Sequence, residues 1–250
     1  MTATIPKACV MGYPVAHSRS PMLHGYWLKT LQIPGTYEAV EVTEQDFPDF
    51  LRNLRAHGYV GGNTTVPHKE AAFRTVDHRD DAARAIGAVN TVWREGDRLV
   101  GGNTDAYGFM AHLDASVPHW NESAGRAVVL GAGGAARAIV YALLDRGLAV
   151  ALVNRTIARA RALAIHFAMR ASAHGFEELP QLLADADILV NATSLGMAGK
   201  PRLDIDLVRL KPAAIVYDYP SVPDWKTPLR SSMCPSQAPS VAQRRRRAWL

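Results

Sequence analysis

The chain has 250 residues, 48% hydrophobic and 20% charged, which is ordinary for a soluble globular protein and enough for one large domain or two modest ones. It carries no run of eighteen apolar residues, no basic-then-apolar leader in MTATIPKACVMGYP, only Cys9 and Cys234 as cysteines, and nine scattered histidines, so no membrane span, secretory signal, disulfide framework or bound metal is expected and the expected setting is the reducing cytoplasm. The net charge of +5 owes four charges to Arg244–Arg247; the remainder is close to balanced, so the run reads as a solvated end and a nucleic-acid partner is not expected.

Along the chain, KACVMGY reads as a strand. SPMLHGYWLKTLQI reads as a helix, with Ser20 as N-cap and Pro21 at the first helical position. TYEAVEV is a second strand. EQDFPDFLRNLRAHG is a helix with Pro48 near its first turn and Gly58 closing it. YVGGNTTV is a third strand, and HKEAAFRTV and RDDAARAIG are short helices. AVNTVWREGDRLVGGNT reads as a hairpin turning at EGD. Strands alternating with helices predict an α/β fold with a mainly parallel sheet. WNESAGR, near residues 120 to 126, is polar and loop-like, and a second α/β series follows it. These patterns divide the chain into a first α/β domain over 1–120, a second over 121–220, and an atypical, irregular stretch over 221–250 rich in Pro, Ser and Arg.

The second series opens with AVVLGAGGAARAIVYALL, a strand, a glycine turn and a helix. Gly131, Gly133 and Gly134, with Ala132 and Ala135 between and after them, let the backbone approach a pyrophosphate at a helix N-terminus. A short glycine motif is weak alone, but here strand and helix flank it as the motif requires. The next strand, AVALVNRT, ends in Asn154 where an NAD-binding fold usually carries an acid. Arg155, Thr156 and Arg159 follow. An amide, a hydroxyl and two guanidinium groups attract a 2′-phosphate that an acid would repel, so the sequence predicts NADP in preference to NAD. The competing reading makes both arginines one face of an exposed helix start.

Three polar clusters precede this unit. HSRSP presents Ser18 and Ser20. GGNTTVPHK presents Asn63, Thr65 and Lys69. AVNT and GGNTDAYG present Asn90, Asn103, Thr104 and Asp105. Hydroxyls and amides suit a polyhydroxylated small molecule, and a nearby cation suits its carboxylate or oxyanion. At the carboxyl ends of parallel strands they would form a ligand site. Lys69 and Asp105 are the candidate catalytic pair: an ammonium donates a proton as charge develops on a carbonyl oxygen, and a carboxylate orients it. Taken singly, each cluster also fits capping and turn chemistry, with Lys69 an exposed helix-start lysine and Asp105 an N-cap.

HSRSPMLH, GGNTTVPHKEAA, IGAVNT, GGNTDAYGF, GAGGAARA, NRT and VNATSLGM stand in the order shown by the shikimate dehydrogenase family, which the chain resembles over roughly residues 5 to 218. The resemblance implies two domains, an N-terminal α/β substrate domain and a C-terminal Rossmann-like NADP-binding domain. It implies reversible NADP-linked interconversion of 3-dehydroshikimate and shikimate, a step toward the aromatic amino acids. Ser18 and Ser20 would bind the substrate carboxylate. Thr65, Lys69, Asn90 and Asp105 would meet ring hydroxyls, with Asn63 beside them and Lys69 as acid and base. Gly131 to Ala135 would cradle the pyrophosphate, and Asn154 to Arg159 the 2′-phosphate. Asp81 matches a position near the cofactor, and Thr193 and Ser194 would lie along it. A homodimer formed through the first domain is the expected assembly.

After Asp218 the chain departs from the family pattern. Ser221 stands where a tyrosine is usual, Thr227 to Leu229 remain, and the Gly-Leu-Gly-Met-Leu segment with its following glutamine is absent. Two further readings stay open on that account: a quinate/shikimate dehydrogenase of broader specificity, and a non-catalytic relative that binds shikimate and dinucleotide.

Overall fold

The structure, a computed structural model, describes residues 5–167, 170–196 and 200–218. The chain divides into two compact units, the first ending at Asp105. The stretch 221–250, with Arg244–Arg247 and Cys234, lies outside the described residues.

The first unit runs β1 (Lys7–Gly12), α1 (Ser20–Thr30), β2 (Thr36–Glu41), α2 (Phe47–Arg52), β3 (Tyr59–Thr64), α3 (Lys69–Thr75), β4 (His78–Arg79), α4 (Asp81–Ile86), β5 (Thr91–Glu95) and β6 (Arg98–Gly102). Its sheet has the order β2-β1-β3-β5-β6-β4. β1 pairs in parallel with β2 and β3, whereas β5 is antiparallel to both β3 and β6. The sheet is therefore mixed. The cause is the hairpin, whose two-residue turn at Gly96–Asp97, with Gly96 at φ +64°, keeps both arms in one sheet. β3 lies between β1 and β5, and its two glycines explain how. A Cβ on Gly61 would stand 2.6 Å from the Val92 carbonyl, and one on Gly62 would run into the carbonyl of Cys9.

Phe47, Leu51, Leu54, Ala72, Val89 and Val92 pack with Cys9 and Met11 into the core of this unit. The Cys9 thiol is fully buried, and burial, with Glu38 nearby, pushes it up to about 12, so it stays protonated and inert. Two helices begin or end differently from expectation. Ser20 is the first residue of α1, with Arg19 as N-cap; the Ser18 hydroxyl just before it accepts the Ser20 amide at 3.2 Å. α2 stops at Arg52, because Leu54 turns inward to full burial and the chain goes on to Gly58 in turns.

The second unit takes up α5 (Asp105–Ser116) after its first residue, then β7 (Arg126–Leu130), α6 (Gly134–Asp145), β8 (Ala149–Val153), α7 (Ile157–His166), β9 (Ala171–His174), α8 (Leu179–Asp185), β10 (Ile188–Asn191) and β11 (Ile215–Asp218). Its sheet is wholly parallel, in the order β11-β10-β7-β8-β9. Val-, Leu- and Ala-rich strands with no polar alternation suit burial on both faces. α6 buries Ala136, Ile139, Val140 and Leu143, the spacing of one helical face. The polar stretch after α5 is pinned in place. Asp114 accepts the Trp120 indole at 2.8 Å and the Arg146 guanidinium at 2.7 Å, and that arginine holds its carboxyl below the usual range. Among the described residues no helix is long and apolar enough to cross a membrane.

Candidate active site

The loops of interest leave one end of the first sheet. The end of β1 and the residue after it pair with the chain beyond β3 through Thr65 N to Met11 O at 2.9 Å and Tyr13 N to Val66 O at 3.1 Å. Glu41, the last residue of β2, accepts the amides of Val15 and Ala16. β5 starts, and β6 ends, beside the end of β3, since Thr91 pairs with both Asn63 and Gly102. The polar clusters thus meet at the carboxyl ends of the parallel strands, where such sheets bind ligands.

Lys69 opens α3, and its Nζ donates to Asp105 Oδ2 at 2.6 Å. Their side chains are 11% and 10% exposed, so the pair is largely sheltered from water. The other carboxylate oxygen is held as well: Asn90 Nδ2 donates to Asp105 Oδ1 at 2.8 Å. The Asn103 side chain accepts the Asp105 amide at 2.9 Å, which ties the first residue of α5 to the chain before it. Below the pair, Val89 N donates to Lys69 O at 2.9 Å and the Asn103 side chain donates to Ala88 O at 2.9 Å. An ammonium held by an oriented carboxylate is a poised proton donor.

His68, in the middle of PHK, had no role in the sequence reading. It is 1% exposed, stacks on Phe47 with ring centroids 4.1 Å apart, and donates through Nε2 to the Val42 carbonyl at 2.7 Å. It therefore fixes the start of α3, one residue before Lys69. Burial pushes its pKa below the ordinary 6.5. Below that pH the unfolded chain binds a proton that the folded one resists, so native stability falls as pH drops through about 6.5. Urea midpoints measured from pH 7.5 to 5.5 should fall less steeply in His68→Gln than in the wild type; equal slopes would remove His68 from the account.

Ser18 and Ser20 are partly exposed, as is Thr65. Asn63 is different, because both ends of its amide are already engaged: Oδ1 accepts from Tyr37 OH at 2.6 Å, and Nδ2 donates to Asn90 O and Thr91 Oγ1 at 3.2 and 3.1 Å. Tyr37 and Thr91 were not singled out from the sequence. They lie 26 and 28 residues from Asn63, and no local spacing marks either. Asp81 is exposed at the start of α4 and paired with Arg84.

In the second unit the glycine turn lies between β7 and α6, at the point where the strand order reverses between β7 and β10. Gly131 has φ +110°, and a Cβ there would stand 3.0 Å from the Ala192 carbonyl. At Gly133 a Cβ would meet open space, and no side chain caps α6. Its N-terminal amides are thus suited to an anion. Ala132 is buried; Gly134 and Ala135 are partly so. Asn154 folds its amide onto Thr156 O at 2.9 Å, while Arg155, Thr156 and Arg159 lie beyond β8, Arg155 and Arg159 on the exposed side. After β10, Asn191 Oδ1 accepts from the Thr193 amide and hydroxyl at 3.0 and 2.7 Å, in a tight turn beside Gly131 that also carries Ser194. Among the described residues no group of His, Cys, Asp or Glu is placed to hold a metal ion.

Comparison with known proteins agrees with this architecture. Residues 10–92 match the family model for the shikimate dehydrogenase substrate binding domain, and residues 115–200 that for shikimate / quinate 5-dehydrogenase. The chain is 55% identical over 221 residues to the shikimate dehydrogenase (NADP(+)) of Brucella melitensis biotype 2, covering 87% of this chain and 76% of that one. It is 53% identical over 218 residues to the enzyme of the same name from Methylocella silvestris, covering 87% and 78%. Among solved structures it is similar to shikimate 5-dehydrogenase from Thermus thermophilus in complex with NADP(H) and shikimate, with TM-score 0.74, 38% identity, and coverage of 86% and 78%. With both family models matched in order and curated relatives above half identity across most of their length, the chain belongs to the shikimate dehydrogenase family.

Proposed function

We propose that the protein catalyses the reversible, NADP-dependent reduction of 3-dehydroshikimate to shikimate, a step in aromatic amino acid biosynthesis. The observation that carries this reading is the sheltered Lys69–Asp105 pair, locked by the Asn90 amide at the carboxyl ends of the first sheet. Family membership supplies the substrate, and relatives named for NADP supply the cofactor. Residues 1–120 are assigned to substrate binding and catalysis, and 121–220 to the dinucleotide.

When bound, the reduced nicotinamide supplies a hydride to the substrate's carbonyl carbon. The residues of this chain do the rest. Lys69 gives a proton to the carbonyl oxygen as charge gathers there, and its amine takes the proton back in the reverse reaction. Asp105 holds the ammonium and accepts from the neighbouring hydroxyl; Asn90 holds Asp105. Ser18 and Ser20 bind the carboxylate, and Thr65 a ring hydroxyl. Gly131 to Ala135 would bind the pyrophosphate through backbone amides at the start of α6. Asn154, Arg155, Thr156 and Arg159 would hold the 2′-phosphate, Thr193 and Ser194 would border the cofactor, and Asp81 keeps the cofactor role that its motif position implies. The proposed biosynthetic step is consistent with a cytoplasmic setting.

The test is a turnover assay on this chain with shikimate or quinate and NADP or NAD, followed at the absorbance of reduced nicotinamide. Turnover with shikimate and NADP is expected. Equal turnover of quinate would move the reading to a broader-specificity dehydrogenase. A folded protein that binds NADP without turnover would make it a binding-only relative. Light scattering on the same sample should give the mass of a homodimer.

A further inference from the structure

The hydrogen bonds around Asn63 have a direction, and two backbone groups fix it. The Asn90 carbonyl can only accept, so the Asn63 NH₂ must face it, at 3.2 Å. Asn63 Oδ1 is thereby turned to the Tyr37 hydroxyl, which donates to it at 2.6 Å. At the other end, the Thr104 amide can only donate, so it selects the carbonyl oxygen of the Asn90 side chain, at 3.0 Å. Thr91 Oγ1 lies between the two amides. It accepts from Asn63 Nδ2 at 3.1 Å and so has its own hydrogen to give to Asn90 Oδ1, at 2.9 Å. Asn90 is then left with its NH₂ toward Thr104 Oγ1 and Asp105 Oδ1, at 2.9 and 2.8 Å, and the second oxygen of Asp105 takes the Lys69 ammonium.

We propose that Tyr37, Asn63 and Thr91 are positioning residues: their hydrogen bonds run in one direction, from β2 through β3 and β5, and brace the Asn90 amide in the orientation that the Thr104 amide selects, and through it the place where Asp105 holds Lys69. Asn63 thus also acts from behind the site, with both hydrogens of its amide given to Asn90 O and Thr91 Oγ1. Two features keep the relay polarised. Tyr37 stacks face to face on His24 of α1, with ring centroids 4.0 Å apart and planes 9° from parallel, so its hydroxyl has a fixed reach. Burial pushes the Tyr37 hydroxyl above its ordinary range, which keeps its hydrogen available for Asn63. Thr91 is the one member whose hydroxyl both accepts and donates. A methyl in its place leaves the Asn63 NH₂ and the Asn90 carbonyl oxygen each short of a partner.

The inference rests on the proposed reaction, and two readouts separate the two. Thr91→Val keeps the shape and removes the hydroxyl; Thr91→Ser keeps the hydroxyl. In steady-state assays Thr91→Val should lower kcat about 5- to 20-fold with the KM for shikimate within about 2-fold, and Thr91→Ser should restore most of it. Tyr37→Phe should lower kcat about 3-fold, and less than that again in the Thr91→Val background, since both act through one chain. The second readout needs no turnover. Acetylation of lysines by a water-soluble amine reagent, read by peptide mass spectrometry, should rise several-fold at Lys69 in Thr91→Val relative to exposed Lys29 in the same sample. If the wild type is silent in the assay, the reaction is wrong and labelling alone judges the relay. Wild-type kcat, or for a silent enzyme wild-type Lys69 labelling, in folded Thr91→Val would overturn it. Equal losses in Thr91→Ser and Thr91→Val would do so too.

Discussion

Lys69→Met should lower kcat about 10²- to 10⁴-fold in both directions, the range that a positioned acid or base contributes. Methionine keeps most of the length and the apolar stem of the side chain, so the loss isolates the ammonium. The substituted protein should also be less stable, because Asp105 is only 10% exposed and loses its cation. Breaking such a pair from one side costs about 3–5 kcal/mol when the remaining charge is fully buried, and less where water reaches it. Combining Lys69→Met with Asp105→Asn should recover part of that stability, since no charge is left alone, and should cost little further activity, since the two act as a unit. Circular dichroism melts beside steady-state kinetics read both. A Lys69→Met enzyme within 10-fold of wild-type kcat would remove Lys69 as the acid.

The second large effect concerns the cofactor. Arg155→Ala combined with Arg159→Ala should lower kcat/KM for NADP about 100-fold and leave that for NAD within about 3-fold. A charge-assisted hydrogen bond contributes about 1.5–3 kcal/mol, so two could exceed 10³-fold. Both side chains are exposed beyond β8, and water screens them, which places the expectation at the low end. The ratio between cofactors is the informative quantity. Damage to folding lowers both activities together; loss of 2′-phosphate contacts lowers only one. Equal losses would mean that the arginines serve α7 and not the ligand.

The sequence carried the elements whose signals are local. Proline at a helix start, Gly87 in the left-handed conformation after α4, and the Gly96–Asp97 turn each act within a few residues, and the structure has them. So does the strand, glycine turn and helix at 126–145. What the sequence did not reveal depends on distant partners. The early stop of α2 reflects Leu54 packing into a core drawn from strands distant in the sequence. The two-residue strand β4 exists because β6 offers it an edge at Val100 and Gly101. The site divides in the same way. Lys69 and Asp105 could be paired from their chemistry, although they lie 36 residues apart. The orientation of the Asn63 amide could not be, because it is set by a tyrosine on β2 and a carbonyl before β5.

The hairpin has a consequence for how this protein can change. Asn90 stands just before its first arm and Thr104 just after its second, joined at 2.9 Å by a side-chain hydrogen bond. The turn at Gly96–Asp97 is exposed at the other end, five residues along each strand, or about 17 Å away at the usual rise. Chemistry is anchored at the root and length is free at the tip. Descendants of this chain can gain residues there, and an engineer can splice in a fluorophore tag or a permuted terminus, with the reacting groups left where they were.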